Sequence, residues 1–446
     1  MPRTKMSTYL AVLSLSGLLL AGCGSNAAKP AVGAGQENAD SGLSEPSSDG
    51  AGEFAHISIF DGEGETPSEL ERVPLKTAGY VREEITAYEG MLFSYDNGSV
   101  FVADYGTGQV PAGFPAENDG ANNLAGGTAS VTLHTLPVAD GGYLYFSDAA
   151  IEGERSDGVE ELARFDLATG LPEVLATTTE PPQITVHDGV LYYLADGLLT
   201  ALDTATGEQL WQEGCPVESE IDVVFAVTEH MVGVMDTEAV YGFDVATGER
   251  VLDRDTDTWF VGLAAGPQGL YLAEHNAETS ASHSVSADLY RINDKSGEEE
   301  KFATTRETDV PDLGIVQLAV HEGTVLLKSD YEVHAIDEAS GETRWITTVR
   351  DETFSEEVEF DLPPMNLYFA LDGGTAYIYA TGGESKEDNR NRLLAVDTES
   401  GDILATHDLG ADFDSAGPRI DGDNLVFLAN NHTDPEFEAL ILPKVR

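Results

Sequence analysis

Cysteine, tryptophan and basic residues are all scarce in this chain. Of 446 residues only two are cysteine and three are tryptophan, and 23 Lys and Arg stand against 80 Asp and Glu. Two cysteines, Cys23 and Cys215, cannot staple a small disulfide-rich domain, so any fold rests on a buried apolar core. The basic deficit gives a formal charge of −57 and a pI near 4.1. That balance excludes nucleic acid, anionic lipid surfaces and polyanionic substrates as partners. It fits a solvated acidic shell, a saline habitat or cationic partners. After the N-terminal segment no apolar run is long enough to span a bilayer. Catalytic signatures are missing too: there is no His-Glu-x-x-His helix, no Gly-x-Ser-x-Gly elbow and no phosphate-cradling loop with lysine. Carboxylates are so numerous that a pair spaced for glycosidic chemistry would carry no information. The ten histidines are dispersed, and His134, His187, His321 and His334 fall in or beside expected strands, where a satisfied interblade histidine is expected instead of a base.

What is present is a turn, repeated. Seven times an apolar strand meets Asp or Asn, two free positions, a hydroxyl residue and glycine. The pairs of first and last residues are Asp104 and Gly108, Asp166 and Gly170, Asp203 and Gly207, Asp244 and Gly248, Asn293 and Gly297, Asp337 and Gly341, and Asp397 and Gly401. Their first residues are 62, 37, 41, 49, 44 and 60 positions apart, and a self-similar period of roughly 40 to 50 residues marks a repeat fold. The acid or amide oxygen can accept backbone N–H groups just downstream, and glycine supplies the left-handed corner, so each motif reads as a hairpin. Acid-Gly pairs such as Asp188-Gly189, Glu322-Gly323 and Asp372-Gly373 precede further apolar runs and predict a second hairpin per unit.

The strand entering each motif is apolar one and four residues before the acid, as at Leu202 and Leu199 or Ile336 and Val333. Those positions lie on opposite faces of a strand, so both faces must be covered, as when small sheets stack radially. The expected fold is all-β: a β-propeller of four-stranded antiparallel blades, eight in number with seven as the alternative. A strand near Ala55 to Phe60 is expected to complete the last sheet and close the ring, removing exposed edges.

Two copies carry one more shared residue. Ala201, Asp203, Thr206, Gly207 and Trp211 recur at identical spacing as Ala335, Asp337, Ser340, Gly341 and Trp345. This resembles the tryptophan-docking repeat of the PQQ-binding-like, quinoprotein-type β-propeller family, over roughly residues 54–446. The resemblance implies that Trp211 and Trp345 dock one blade on a neighbour's turn. Quinoprotein dehydrogenases of that superfamily bind PQQ and calcium and commonly carry an adjacent cysteine pair, which this chain lacks. The closer functional match is to propeller lipoproteins of the family, including the scaffold subunit of the outer-membrane β-barrel assembly machinery, which hold other proteins and do no chemistry.

The N-terminus supplies an address. Arg3 and Lys5 precede an apolar run from Tyr9 to Leu20 that ends in Leu20-Ala21-Gly22-Cys23. The run is too short to span a membrane and has the tripartite form of a secretory signal. Its end resembles the bacterial lipobox, which implies lipidation at Cys23. Residues 1–22 are therefore expected to be a lipoprotein signal peptide, and residues 23–53, rich in small and polar side chains, a lipidated cysteine and flexible tether. The propeller occupies 54–446.

Cys215 sits between Gly214 and Pro216 and reads as a buried or loop thiol, an intermolecular disulfide or redox role being the sharper alternative. Asp253, Asp255 and Asp257 have the one-three-five spacing of a calcium loop, but Thr258 and Ala264 stand where its glycine and bidentate glutamate belong, and a solvated interblade loop explains them as well. Asp421-Gly422-Asp423 reads as a hairpin turn. No cofactor, catalytic or metal-ligating residue is expected, and calcium is only compatible. The expected function is that of a non-catalytic scaffold, lipid-anchored on the extracytoplasmic face of a bacterial membrane, or in an outer membrane if there is one, with an envelope protein as partner. The alternative is a sensor propeller for a small molecule or wall glycan, and less favoured is a PQQ- and calcium-dependent dehydrogenase.

Overall fold

The computed structural model describes residues 54–59, 67, 69–75, 85–96, 99–110, 138–148, 160–169, 171–217, 223–256, 258–276, 286–305, 317–329, 332–348, 366–382, 390–410, 417–430 and 437–445. Eight separate sheets are built from consecutive hairpins, and neighbouring sheets pack through their first strands until the last meets the first. The result is an eight-bladed β-propeller. We number the blades along the chain by their inner strands, which begin at Ile85, Val138, Gln183, Val224, Phe260, Leu318, Asn366 and Arg419. Blades 2, 3, 4, 5 and 7 are four consecutive antiparallel strands. Blade 1 has three strands among the described residues.

The strand that feeds each motif explains the radial stacking. The residue just before the acid packs against the preceding blade, and the residue four before it against the following one. Leu202 lies in a cluster with Tyr145 and Leu162 of blade 2, whereas Leu199 lies with Val232 and Val234 of blade 4. Val396 joins the cluster shared with blade 6, and Leu393 the one shared with blade 8. Each sheet is thus one layer of two successive cores.

The motif itself is a backbone clamp. In blade 3, Asp203 Oδ1 accepts from the N–H of Ala205 at 3.0 Å and of Thr206 at 2.8 Å. The Thr206 hydroxyl donates to the same oxygen at 2.9 Å and accepts from Glu208 N–H at 3.2 Å. Asp244, Asn293 and Asp397 repeat this geometry, and Asp104 and Asp166 keep its backbone bonds. Gly170 lies outside the described residues. Asp337 has an additional partner: Arg344 Nε, 3.2 Å away, together with Nη2. The Arg344 guanidinium first, then the Ser340 N–H, lower its carboxyl from the ordinary 3.8 to about 2. A depressed carboxylate adds stability above its unfolded-state value, lost as pH falls through the folded one. Asp337→Asn is therefore expected to melt below the wild type at pH 6, and the gap should narrow between about pH 4 and pH 2. A gap unchanged by acid would refute the clamp's ionic part.

The clamp also docks blades. Trp211 Nε1 donates to Val245 O of blade 4 at 2.8 Å, and Trp345 Nε1 to Thr398 O of blade 7 at 3.1 Å. Both carbonyls belong to the residue right after the motif acid. The indole then lies on the motif glycine: a Cβ on Gly248 would come within 2.7 Å of Trp211 Cδ2, and one on Gly401 within 2.7 Å of Trp345 Cδ1. A β-bulge immediately before each tryptophan, at Leu210 and at Arg344, turns the side chain toward that neighbour. Where tryptophan is absent, arginine two residues before the acid can serve. Arg164 Nη1 reaches Thr204 O, again the residue following the acid, and pairs with Glu173 at 2.7 Å. Arg291 Nη1 meets the Glu338 carboxylate at 2.8 Å, a group that also accepts from Tyr271 Oη at 2.6 Å.

Ring closure differs from expectation in its strand. Ala55–Ser58 does not complete the last sheet; it pairs in parallel with Thr343–Thr348, the outer strand of blade 6. Glu71–Pro74 is the closing strand, antiparallel to Phe437–Pro443 of blade 8. The reason is apolar pattern: Ile57 and Ile59 fill the core between blades 6 and 7, while Val73 and Leu75 fit the core between blades 8 and 1.

Candidate interaction face

Antiparallel blades give the ring two unlike ends. At one end lie the motif turns and the hairpins joining each inner strand to the next, all short. At the other end lie the hairpins between second and third strands and every connection from one blade to the next, so sequence variation can accumulate there without disturbing the clamps.

Among the described residues of this second end, a set of hydrogen bonds joins the hairpin of blade 4 to the start of blade 5. Asp236 caps its hairpin by accepting from Glu238 N–H at 2.8 Å and Ala239 N–H at 2.7 Å. That hairpin in turn holds the incoming connection, since Thr256 N–H donates to Glu238 O at 3.0 Å and Phe260 N–H to Thr237 O at 2.9 Å. Between these bonds stands Trp259, 39% exposed, stacked on the His275 ring with centroids 4.1 Å apart and planes 21° from parallel. Behind it Arg254 pairs with Glu274 at 2.8 Å and Glu299 at 3.0 Å and lies over the Tyr290 ring at 4.1 Å. Burial raises the Tyr290 hydroxyl, helped by the charge of Glu274. The Thr256 hydroxyl donates to Glu274 as well. Arg254 thus ties the outer strand of blade 4 to two carboxylates of blade 5, beneath an aromatic plate formed by Trp259 and His275. Such a plate suits contact with another molecule, because large aromatics on ordered supports contribute most to recognition.

Trp259 was not singled out by the sequence, being the one tryptophan outside the docking slot. That exception is the signal that could have found it. Asp253 and Asp255 lie on the outer strand Arg250–Asp255 of blade 4, not in an interblade loop, because Tyr241 and Ala239 pair with them across the sheet. Asp257 lies outside the described residues, and among those described no cluster of three His, Cys, Asp or Glu could hold a metal. Cys215 is buried in the core between blades 3 and 4. His334 is buried, its Nε2 2.8 Å from Glu332. His187 and His321 instead sit partly exposed at the inner hairpins, 3.6 and 3.8 Å from Asp188 and Glu322; each is the last residue of its inner strand. His134, Cys23 and the tether lie outside the described residues. No helix among the described residues is long and apolar enough to cross a membrane.

Comparison with known proteins fits this architecture. Residues 160–440 match the family model described as outer membrane protein assembly factor BamB. Among solved structures, the computationally designed protein Ika8 is similar at 13% identity with a TM-score of 0.53, over 83% of this chain and 99% of that one. BamB from Moraxella catarrhalis is similar at 14% identity with a TM-score of 0.47, over 84% of this chain and 99% of that one. A quinohemoprotein alcohol dehydrogenase from Pseudomonas putida is similar at 13% identity with a TM-score of 0.40, over 66% and 63%. These likenesses bear on the fold alone. No curated protein matches the chain.

Proposed function

The chain belongs to the family described as outer membrane protein assembly factor BamB, and from that premise we propose that it is a lipid-anchored, extracytoplasmic interaction module that holds a protein partner in the bacterial envelope and performs no chemistry. The observation that carries this reading is the junction between blades 4 and 5, where Trp259, 39% exposed, stacks on His275 beside the Arg254 ion pairs. Anchoring is supported by the Leu20-Ala-Gly-Cys23 sequence and the small-residue tether behind it. With 80 acidic side chains against 23 basic ones, the partner surface carries excess Lys and Arg.

Two measurements test the reading. Cys23→Ala should move the protein from the membrane fraction to the soluble extracytoplasmic fraction, whereas retention in the membrane would refute the anchor. A photo-crosslinking side chain at position 259 should give a discrete protein adduct in envelope preparations, and Asp236→Ala, which releases the hairpin that seats Trp259, should weaken it. The dehydrogenase reading is opposed by the missing adjacent cysteine pair. Dye reduction by the purified protein with PQQ, calcium and an alcohol would reinstate it.

A further inference from the structure

We propose that the outer strand of blade 7, Ile403–Asp408, is a second docking site, which takes an extended, lysine- or arginine-flanked segment of a partner protein by parallel strand addition. The inference rests on the interaction-module reading and names a different surface for it.

An outer strand leaves a row of backbone N–H and C=O groups that another chain can pair with, and proteins usually block it with charge, proline or a cover. Most described outer strands of this propeller are blocked. Blade 8 ends in Glu71-Arg72-Val73-Pro74, blade 4 carries Arg250, Asp253, Arg254 and Asp255, blade 5 carries Glu299, Glu300 and Lys301, and blade 2 opens with Leu171-Pro172-Glu173. Blade 3 reads Gln209-Leu210-Trp211-Gln212-Glu213-Gly214, with Leu210 exposed and the Glu213 charge in its second half. Blade 6 is covered by Ala55–Ser58. Blade 7 reads Ile403-Leu404-Ala405-Thr406-His407-Asp408, with no proline and no Asp, Glu, Lys or Arg before its last residue. It also exposes Ile403 at 50% and Leu404 at 47%. Among the described residues no strand pairs with its outer side.

Blade 6 shows what such an edge accepts. Its outer strand has the same register as that of blade 7: Ala335 pairs with Trp345 and Val333 with Thr347 in one, Ala395 with Ala405 and Leu393 with His407 in the other, each beyond a bulge. Trp345–Thr348, the stretch that receives Ala55–Ser58, thus corresponds to Ala405–Asp408. The outward carbonyl of Thr348 accepts from Ile59 N–H at 3.0 Å. In blade 7 Leu409 N–H donates inward to Asn391 O at 2.8 Å, and strand alternation then turns the N–H and C=O of Thr406 and Asp408 outward. The seat is the one blade 6 uses, with Ile403 and Leu404 beside it to receive the apolar side chains of the added strand.

Charge selects the occupant. A second copy of this chain would bring another −57 against the first, so self-pairing through this edge is opposed, while a cationic segment is drawn in. The experiment uses the full-length protein and a synthetic peptide that repeats residues 54–59 between paired lysines. Hydrogen exchange of the Thr406 and Asp408 amides should slow by about tenfold or more on saturation, and glutamate-flanked peptide should bind about tenfold more weakly at low salt. Thr406→Pro, which removes an outward donor, should abolish protection, and Leu404→Lys, which leaves the backbone intact, should weaken it. Protection elsewhere, or binding indifferent to both substitutions and to flanking charge, would overturn the site. Crosslinkers at positions 406 and 259 separate this inference from its premise. Adducts only from 259 overturn the edge and leave the interaction module standing, and adducts from neither overturn both.

Discussion

Trp345→Ala is expected to lower the unfolding free energy by about 3–5 kcal/mol, the range for emptying a fully buried aromatic site. Trp345 is fully buried in the cluster with Leu326, Leu367, Ile378 and Val396, so the loss is felt on both sides of the junction between blades 6 and 7. It also strands the Thr398 carbonyl that accepts the indole N–H. Trp211→Ala should cost less, because that ring is slightly more exposed and its Tyr192 neighbour, 5.9 Å away, can settle toward the gap. A double-mutant cycle isolates the docking term. Gly401→Ala alone forces a Cβ onto the Trp345 ring in a left-handed backbone; after Trp345→Ala the ring contacts at 2.7 and 2.8 Å are gone, and the approach to the residue-345 Cβ at 3.0 Å and the backbone part, on the order of 1 kcal/mol, remain. The two substitutions should therefore couple by 1 kcal/mol or more in chemical denaturation. Strict additivity would mean that glycine is there for the turn alone.

The same junctions show what could be read in advance. The turn and the two apolar faces of its strand follow from the repeat itself, because hairpin chemistry and alternation act locally; the seven copies leave the ring at eight blades or seven, since blade 8 carries no motif. Docking was legible only in the two tryptophan copies. In blades 2 and 5 the equivalent contact comes from Arg164 and Arg291, on the neighbouring strand, steadied by Glu173 and Glu300 across the hairpin; no single-position pattern joins an indole with a salt-bridged guanidinium. The closing strand was misplaced for a related reason. Glu71-Arg72-Val73-Pro74 offers one apolar side chain in four, too little periodicity to register, whereas Ile57 and Ile59 alternate cleanly and belong to the extra strand on blade 6. Trp259 and the Arg254 network escaped because they are set by a junction between blades, and sequence spacing reports only contacts within one.

The seam where the ring closes should be the most sensitive polar site. Asp421, in the inner hairpin of blade 8, accepts from Glu89 N–H at 3.0 Å, Gly90 N–H at 2.7 Å and the Tyr105 hydroxyl at 2.8 Å, all in blade 1. Three donors on one carboxylate tie the C-terminal strands of the last blade to the first blade. Asp421→Ala leaves all three without their acceptor, and the expected loss is about 2–3 kcal/mol, because hydrogen bonds to a charged group are worth more than neutral ones and the site is only part-buried. Asp421→Asn, which keeps an acceptor, should fall between. Tyr105 adds a pH signature: burial, then the bond to Asp421, raises its hydroxyl from 10.0 to about 12. A group raised in the folded state contributes stability that is complete below its unfolded value and is lost as pH rises through the folded one. Wild-type stability should thus decline between about pH 10 and pH 12 more steeply than that of Tyr105→Phe. Both strands of the closure hold the same blade, so weakening one should loosen the other. In Asp421→Ala, amide exchange in Glu71–Pro74 should quicken ahead of exchange in blades 3 to 5. If Glu71–Pro74 stays as protected as in the wild type, the two fastenings act independently and closure is not a cooperative event.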